Sequence, residues 1–317
     1  MLSVINALVP VFLIIVVGAL LKRSPIFGET TWTGFENLCY FVLFPVLLIK
    51  TLATANLGSA EILRFSSALL FAIFAMSCLM LAIYPLLKHR FGVLPAAFSS
   101  LLQGTTRWHG FIALSIVGLL YGDDGVTYMA IAMAVIIPPV NIINVLVLTR
   151  FAQEQKRLRD VLHRLLTNPF IIACVVGAAL NLSGLGLPTP FYAIFDILGG
   201  GALGLGLLTV GAGLQLRKIR DHHGQVLFGS LLRLLGMPLL MYSGCLMLDV
   251  QGLGLTVAVL TGAVPTAASS YVLARQMGGD APLMANLITA QVLLATLTLP
   301  VMIWLAGGGS TALLAGG

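Results

Sequence analysis

Charged residues are scarce in this chain. Only 9% of its 317 residues are Asp, Glu, Lys or Arg, and 59% are hydrophobic, whereas about a quarter of the residues in a soluble domain are charged. This composition excludes a water-soluble globule. It also excludes a disordered chain, which requires low hydrophobicity and high net charge. The chain is therefore expected to lie in a lipid bilayer.

Cysteine is also scarce, and several familiar motifs are missing. The four cysteines lie in four different apolar runs, at Cys39, Cys78, Cys174 and Cys245, so neither a disulfide framework nor a CxxC metal site is expected. The sequence lacks a Walker loop, a dinucleotide fingerprint, HExxH and a GxSxG motif with partners. We therefore expect no metal, no cofactor and no enzymatic activity. The net charge of +6 lies in short clusters, so a nucleic-acid partner is not expected.

Long apolar runs dominate what remains. They are unbroken, as in LVPVFLIIVVGALL, which favours helices over the alternating strands of a β-barrel. At about 20 residues per span, the sequence predicts an all-α membrane protein of about ten transmembrane helices. The predicted spans are 4–22, 32–53, 63–87, 95–121, 126–149, 168–183, 190–215, 225–248, 253–276 and 282–306.

Basic residues alternate between connections. Lys and Arg cluster in every second connection, whereas Asp123, Asp124 and Asp249 lie in the others. The positive-inside rule makes the basic connections cytoplasmic. With an even number of spans, both termini are expected outside, in an inner or plasma membrane.

The two halves of the chain resemble each other. A ten-residue string beginning at Pro10 matches one beginning at Pro169, and Phe35-Glu36 matches Phe195-Asp196. We predict a first five-helix repeat at 1–150, a cytoplasmic linker at 151–167 and a second five-helix repeat at 168–317. Because each half has an odd number of spans, the second repeat is inverted, as in many secondary transporters.

A polar stretch interrupts the fourth predicted span. It runs from Gln103 to Gly110 and contains Arg107, which is costly at membrane depth. The corresponding ninth span contains Pro265, which breaks or kinks a helix. We predict a break in each span, and the half-helix N-termini there carry partial positive charge.

These breaks are the predicted site. Arg107 fits a carboxylate in bidentate fashion, although a structural ion pair with Glu36 or Asp196, or snorkelling, is the alternative. Asn141 and Asn144 share a helix face beside a Pro-Pro pair. The predicted substrate-binding residues are Gln103, Thr106, Arg107, His109, Asn141, Asn144, Pro265 and Thr266.

Coupling candidates are fewer. His109 titrates in a useful pH range but is equally consistent with a neutral hydrogen-bonding group. Glu36 and Asp196 begin the second span of each half, where an acid also gains from the helix dipole without any function. In the seventh span, Gly200 and Gly204 form a small-xxx-small pattern that predicts helix packing.

Several strings carry a family resemblance. FENLCYFVLFPVLLIKTLA and AVPTAASSYVLARQMGGDAPLMANLITAQVLLATLTLP resemble the auxin efflux carrier family, and the similarity covers nearly the whole chain. The resemblance implies ten helices in two inverted repeats, similar to bile-acid symporters and sodium/proton antiporters, with crossing broken helices. It implies organic-anion substrates and places Pro265 at the ninth-span crossover. Thr106-Arg107-Trp108-His109-Gly110 departs from the Asn-Gly-Pro of many members.

The resulting prediction is a secondary carrier of small organic anions, mono- or dicarboxylates, that works by alternating access. Membrane potential or a proton gradient is the expected driving force. The alternatives are a sodium-coupled symporter of a larger amphipathic anion, an intramembrane enzyme and a channel. The sequence leaves open whether two chains associate as a homodimer.

Overall fold

The computed structural model describes residues 2–55, 59–151, 163, 166–214 and 222–308, and all regular structure in these ranges is helical. Within them, six continuous helical stretches are long and apolar enough to cross a membrane, and shorter apolar helices lie at 8–21, 169–182 and 252–263. The all-α membrane class is thus confirmed. Most of the predicted linker 151–167, and the basic residues at 217–220, lie outside the described residues.

The helices follow one another with short connections. In chain order they are α1 (Leu2–Leu21), α2 (Glu29–Leu38), α3 (Phe44–Thr54), α4 (Ala60–Phe91), α5 (Pro95–Thr106), α6 (Gly110–Phe151), α7 (Pro169–Leu182), α8 (Thr189–Ala212), α9 (His223–Leu231), α10 (Met237–Met247), α11 (Gly252–Ala263), α12 (Ser269–Gln276) and α13 (Ala281–Ile303). α6 contains a kink at Gly122, whose φ of 57° is non-helical. This kink lies at the predicted boundary between the fourth and fifth spans.

Two pairs of helices are joined by π-helical turns that precede a proline. Cys39–Leu43 links α2 to α3 before Pro45, and Leu232–Gly236 links α9 to α10 before Pro238. A proline inside a helix cannot donate to the preceding turn, and its ring clashes with a carbonyl there. The wider π turn accommodates this defect and re-aims the side chains that it carries.

Glycine allows the helices to approach at backbone distance. A Cβ on Gly18 of α1 would lie 2.1 Å from the Leu208 carbonyl oxygen, and one on Gly211 of α8 would lie 1.8 Å from that of Ile15. A Cβ on Gly177 of α7 would lie 3.0 Å from the Ile49 carbonyl oxygen of α3. These contacts pack α1 on α8 and α7 on α3.

The predicted packing role of Gly200 and Gly204 is wrong within the described residues. Both are exposed, and a Cβ on either would meet no atom within 4 Å. The close contact of α8 lies two to three turns later, at Gly211. Sequence spacing identifies a small-residue pattern but does not determine which face of the helix meets its neighbour.

We expect Gly211→Ala to destabilise the protein, because its Cβ would overlap backbone atoms of α1 that cannot move aside. Overpacking of this kind costs about 1–3 kcal/mol, so the melting temperature of the purified protein should fall by several degrees. Gly200→Ala is the matched control on the same helix and should leave it unchanged. Equal melting temperatures for both variants would contradict this account of the α1–α8 contact.

Candidate functional site

Both predicted helix breaks are present. α5 ends at Thr106 and α6 begins at Gly110, which leaves residues 107–109 non-helical. α11 ends at Ala263 and α12 begins at Ser269, with Pro265 in the buried segment between them. We call 107–109 the first break and 264–268 the second break. Each break leaves backbone groups that water cannot satisfy in a bilayer, so protein partners are required.

The two breaks contact each other through hydrogen bonds. The Thr266 hydroxyl of the second break donates to the Gln103 carbonyl at 3.3 Å. Gln291 of α13 joins them further, because its Nε2 donates to the Gly104 carbonyl at 3.0 Å and its Oε1 accepts from the Thr266 N–H at 2.8 Å. Gln291 is fully buried. The ends of α5 and α11 are therefore held together by one amide side chain.

Arg233 is the largest fully buried side chain of the described residues, at 1% exposure. Its Nε donates to the Val264 carbonyl at 2.8 Å and its Nη2 to the Thr261 carbonyl at 2.8 Å. Its Nη1 donates to the Thr105 carbonyl at 3.3 Å. One guanidinium thus binds the C-terminal carbonyls of both α5 and α11.

Local sequence explains why Arg233 reaches these carbonyls. It lies in the π turn Leu232–Gly236 that precedes Pro238. A Cβ on Gly262 of α11 would lie 2.7 Å from the Pro238 Cα, so only glycine permits this approach of α11 to α10. Arg233 was missing from the predicted site residues, although a charge within the apolar run 225–248 is a signal that could have identified it.

Arg107 lies on the other side of the breaks. It is half-buried, its Nη1 donates to the Asn141 Oδ1 at 3.1 Å, and its Nη2 donates to the Ser269 hydroxyl at 3.1 Å. Ser269 is the first residue of α12. The guanidinium therefore spans from the first break to the N-terminus of the helix that follows the second break.

The alternative ion pair of Arg107 is not observed in the described ranges. Asp196 pairs instead with Lys50 of α3, whose ammonium also lies 4.7 Å from the centre of the Tyr192 ring. Glu36 and Asp196 are both exposed, and neither hydrogen-bonds to a described residue of either break. The structure thus does not bring these two coupling candidates to the predicted site.

Thr106 and Asn144 form a buried pair. The Asn144 Nδ2 donates to the Thr106 hydroxyl oxygen at 3.1 Å and to the Val140 carbonyl at 2.7 Å. The Thr106 hydroxyl donates to the Leu102 carbonyl at 2.8 Å. These groups use their hydrogen bonds within the protein and attach the end of α5 to the second part of α6.

Gln103 and His109 behave differently. Gln103 is fully buried and His109 is 4% exposed, yet neither side chain has a hydrogen-bond partner among the described residues. Buried polar groups are paired in the great majority of cases, and an unpaired one costs about 1–3 kcal/mol. His109 packs edge-on to Phe111, with 5.6 Å between ring centres. Both side chains have capacity left for a ligand or water.

Comparison with known proteins identifies the family. The family model described as membrane transport protein matches residues 3–303, nearly the whole chain. The chain belongs to the auxin efflux carrier family. A relative named uncharacterized transporter YfdV, from Escherichia coli, is 22% identical over 279 residues, which cover 85% of this chain and 87% of the relative. An uncharacterized transporter of Methanothermobacter thermautotrophicus is 30% identical over 141 residues, or 44% of this chain and 46% of the relative.

Membership of the auxin efflux carrier family makes the chain a multi-pass membrane protein of a transporter family. The predicted resemblance is therefore confirmed. The family match runs through both breaks, so the arrangement around Arg107, Arg233 and Gln291 lies inside the region shared with the family.

Removing the amide that joins the breaks should destabilise the protein. Gln291→Leu preserves approximate volume but leaves the Thr266 N–H and the Gly104 carbonyl unpaired, at about 1–3 kcal/mol for each buried group. We expect a clear fall in the melting temperature of the purified protein. Thr296→Val, which removes only an exposed hydroxyl bonded to the Leu293 carbonyl within α13, is the control. An unchanged melting temperature for Gln291→Leu would show that this bridge contributes nothing.

Proposed function

We propose that the protein is a secondary carrier of small organic anions, mono- or dicarboxylates, which bind at the two breaks. The observation that carries this proposal is the half-buried Arg107 guanidinium that joins the first break to the N-terminus of α12. Its two side-chain contacts are to the neutral groups of Asn141 and Ser269. The positive charge is therefore left without a paired carboxylate among the described residues.

The surroundings of Arg107 favour an anion. α6 and α12 both begin at the breaks, and a helix N-terminus carries about half a positive charge. A guanidinium has five N–H donors, and the two contacts above leave donors for a planar carboxylate. Ser269 is exposed and Gly110 is half-buried, so this side of the breaks is accessible to a small molecule.

Gln103 and His109 supply further binding capacity. An amide and an imidazole accept and donate hydrogen bonds, which suits the second carboxylate or a hydroxyl of a small organic acid. Protonation of His109 is one route to coupling with a proton gradient. Membrane potential alone is the other, because an anion moves down an electrical gradient without a co-transported ion.

Alternating access is proposed from the repeat, with ten spans in two inverted halves at 1–150 and 168–317. Two glycine contacts support this arrangement. Gly18 of the first span packs on α8 in the seventh, and Gly177 of the sixth span packs on α3 in the second. The two strings are aligned at these glycines, so an inverted repeat relates one contact to the other. The inner-membrane location with both termini outside remains a prediction from charge.

Arg107→Gln should abolish or strongly weaken uptake of labelled malate or malonate into proteoliposomes. A charge-assisted hydrogen bond contributes about 1.5–3 kcal/mol, so a loss of about ten- to hundredfold in apparent affinity is expected. Arg64→Gln is the control, because Arg64 is exposed and pairs with Asp249 at 3.4 Å at the surface. Uptake by Arg107→Gln equal to that of the wild type would remove Arg107 from the site.

Pro265→Leu should impair transport while the protein is still made and inserted. Leucine restores a backbone donor and removes the ring that prevents a continuous helix, so the second break should shorten. Pro85→Leu is the control, because Pro85 is an exposed proline inside α4, away from both breaks. The same uptake assay checks both, and full activity in Pro265→Leu would show that the proline is dispensable.

A further inference from the structure

We propose that the guanidinium of Arg233 takes the place of a coupling cation at the crossing of the two breaks. The proposal rests on the proposed transport function and names how that function is coupled. In secondary transporters with discontinuous helices, unwound carbonyls and half-helix C-terminal ends coordinate the coupling ion. Here those same groups, the carbonyls of Thr105, Thr261 and Val264, bind a cation that belongs to the chain.

The charges balance at this point. α5 and α11 are both 12-residue helices that end at the breaks, and each helix C-terminus carries about half a negative charge. Two such ends sum to about one negative charge, which one guanidinium neutralises. No acid is needed, and none of the ion pairs found in the described ranges includes Arg233.

The remaining carbonyls at the end of α5 are also engaged. The Gln103 carbonyl accepts from the Arg107 N–H and the Thr266 hydroxyl, and the Gly104 carbonyl accepts from Gln291. A free sodium ion would therefore have to displace Arg233 and overcome its charge. In the described part of the chain, no cluster of three or more His, Cys, Asp and Glu offers another cation site.

A tethered cation has a functional consequence. Because Arg233 cannot dissociate, the negative helix ends stay neutralised when the substrate leaves, and the positive side near Arg107 remains the exchangeable site. Transport should therefore be independent of sodium. This contradicts the alternative of a sodium-coupled symporter, which the sequence left open.

The first test is the thermal stability of the purified protein with different cations. Wild-type melting temperature should be the same in sodium, potassium and choline chloride. Arg233→Ala should melt several degrees lower, and millimolar methylguanidinium should restore much of that loss by filling the vacated site. A saturable rise of the wild-type melting temperature with sodium alone would overturn the proposal, as would a failure of methylguanidinium to restore Arg233→Ala.

Met237→Ala is the matched control. Met237 is fully buried one turn from Arg233, so its truncation leaves a cavity without removing a charge. It should be destabilised but not restored by methylguanidinium, and equal restoration of both variants would overturn the proposal. If Arg233→Ala is not obtained as folded protein, Arg233→Lys and Arg233→Met replace it. A more stable Lys variant supports a cation requirement, and equal loss in both contradicts it.

Uptake measurements separate this inference from the proposed function. Wild-type carboxylate uptake should be unchanged when sodium is replaced by choline on both sides of the membrane, and a sodium requirement would overturn the inference. If the wild type transports no carboxylate under any gradient, the proposed function fails, while the stability measurements still decide the role of Arg233.

Discussion

The structure depends on how the backbone groups at two helix breaks are satisfied away from water. A lipid bilayer supplies no hydrogen-bond partners, so each free carbonyl at a half-helix end would cost several kcal/mol, by an order-of-magnitude estimate. Arg233 and Gln291 supply those partners from other helices. The breaks are stable because these two buried side chains bind the ends of α5 and α11 together.

This arrangement separates the two polarities of the broken helices. The C-terminal, negative ends are buried and neutralised by Arg233, whereas the N-terminal, positive ends lie beside the half-buried Arg107 and exposed Ser269. Helix dipoles of opposite sign would otherwise offset each other in the same small volume. With one sign already neutralised, the accessible side has a net preference for anions, which links the fold of the breaks to the proposed substrate class.

Glycine and proline position these groups. Pro238 is preceded by the π turn that carries Arg233, and Gly262 allows α11 to approach Pro238 at backbone distance. Around them, Gly18, Gly177 and Gly211 pack α1 on α8 and α7 on α3 without intervening side chains. The helices that surround the breaks are thus fixed by contacts that tolerate almost no change in shape.

The sequence by itself determined the membrane class, the positions of the two breaks and the family, because apolar run length, a proline within a span and a polar stretch at membrane depth are local signals. It also identified Arg107 and the adjacent Gln103 and His109. Only the tertiary structure showed what Arg233 does, since its partners are backbone carbonyls 28 to 128 residues away, and every residue has a carbonyl. For the same reason, only packing revealed that Gly211, and not Gly200, is the contact of α8: periodicity defines the faces of a helix, but its neighbours determine which face is buried.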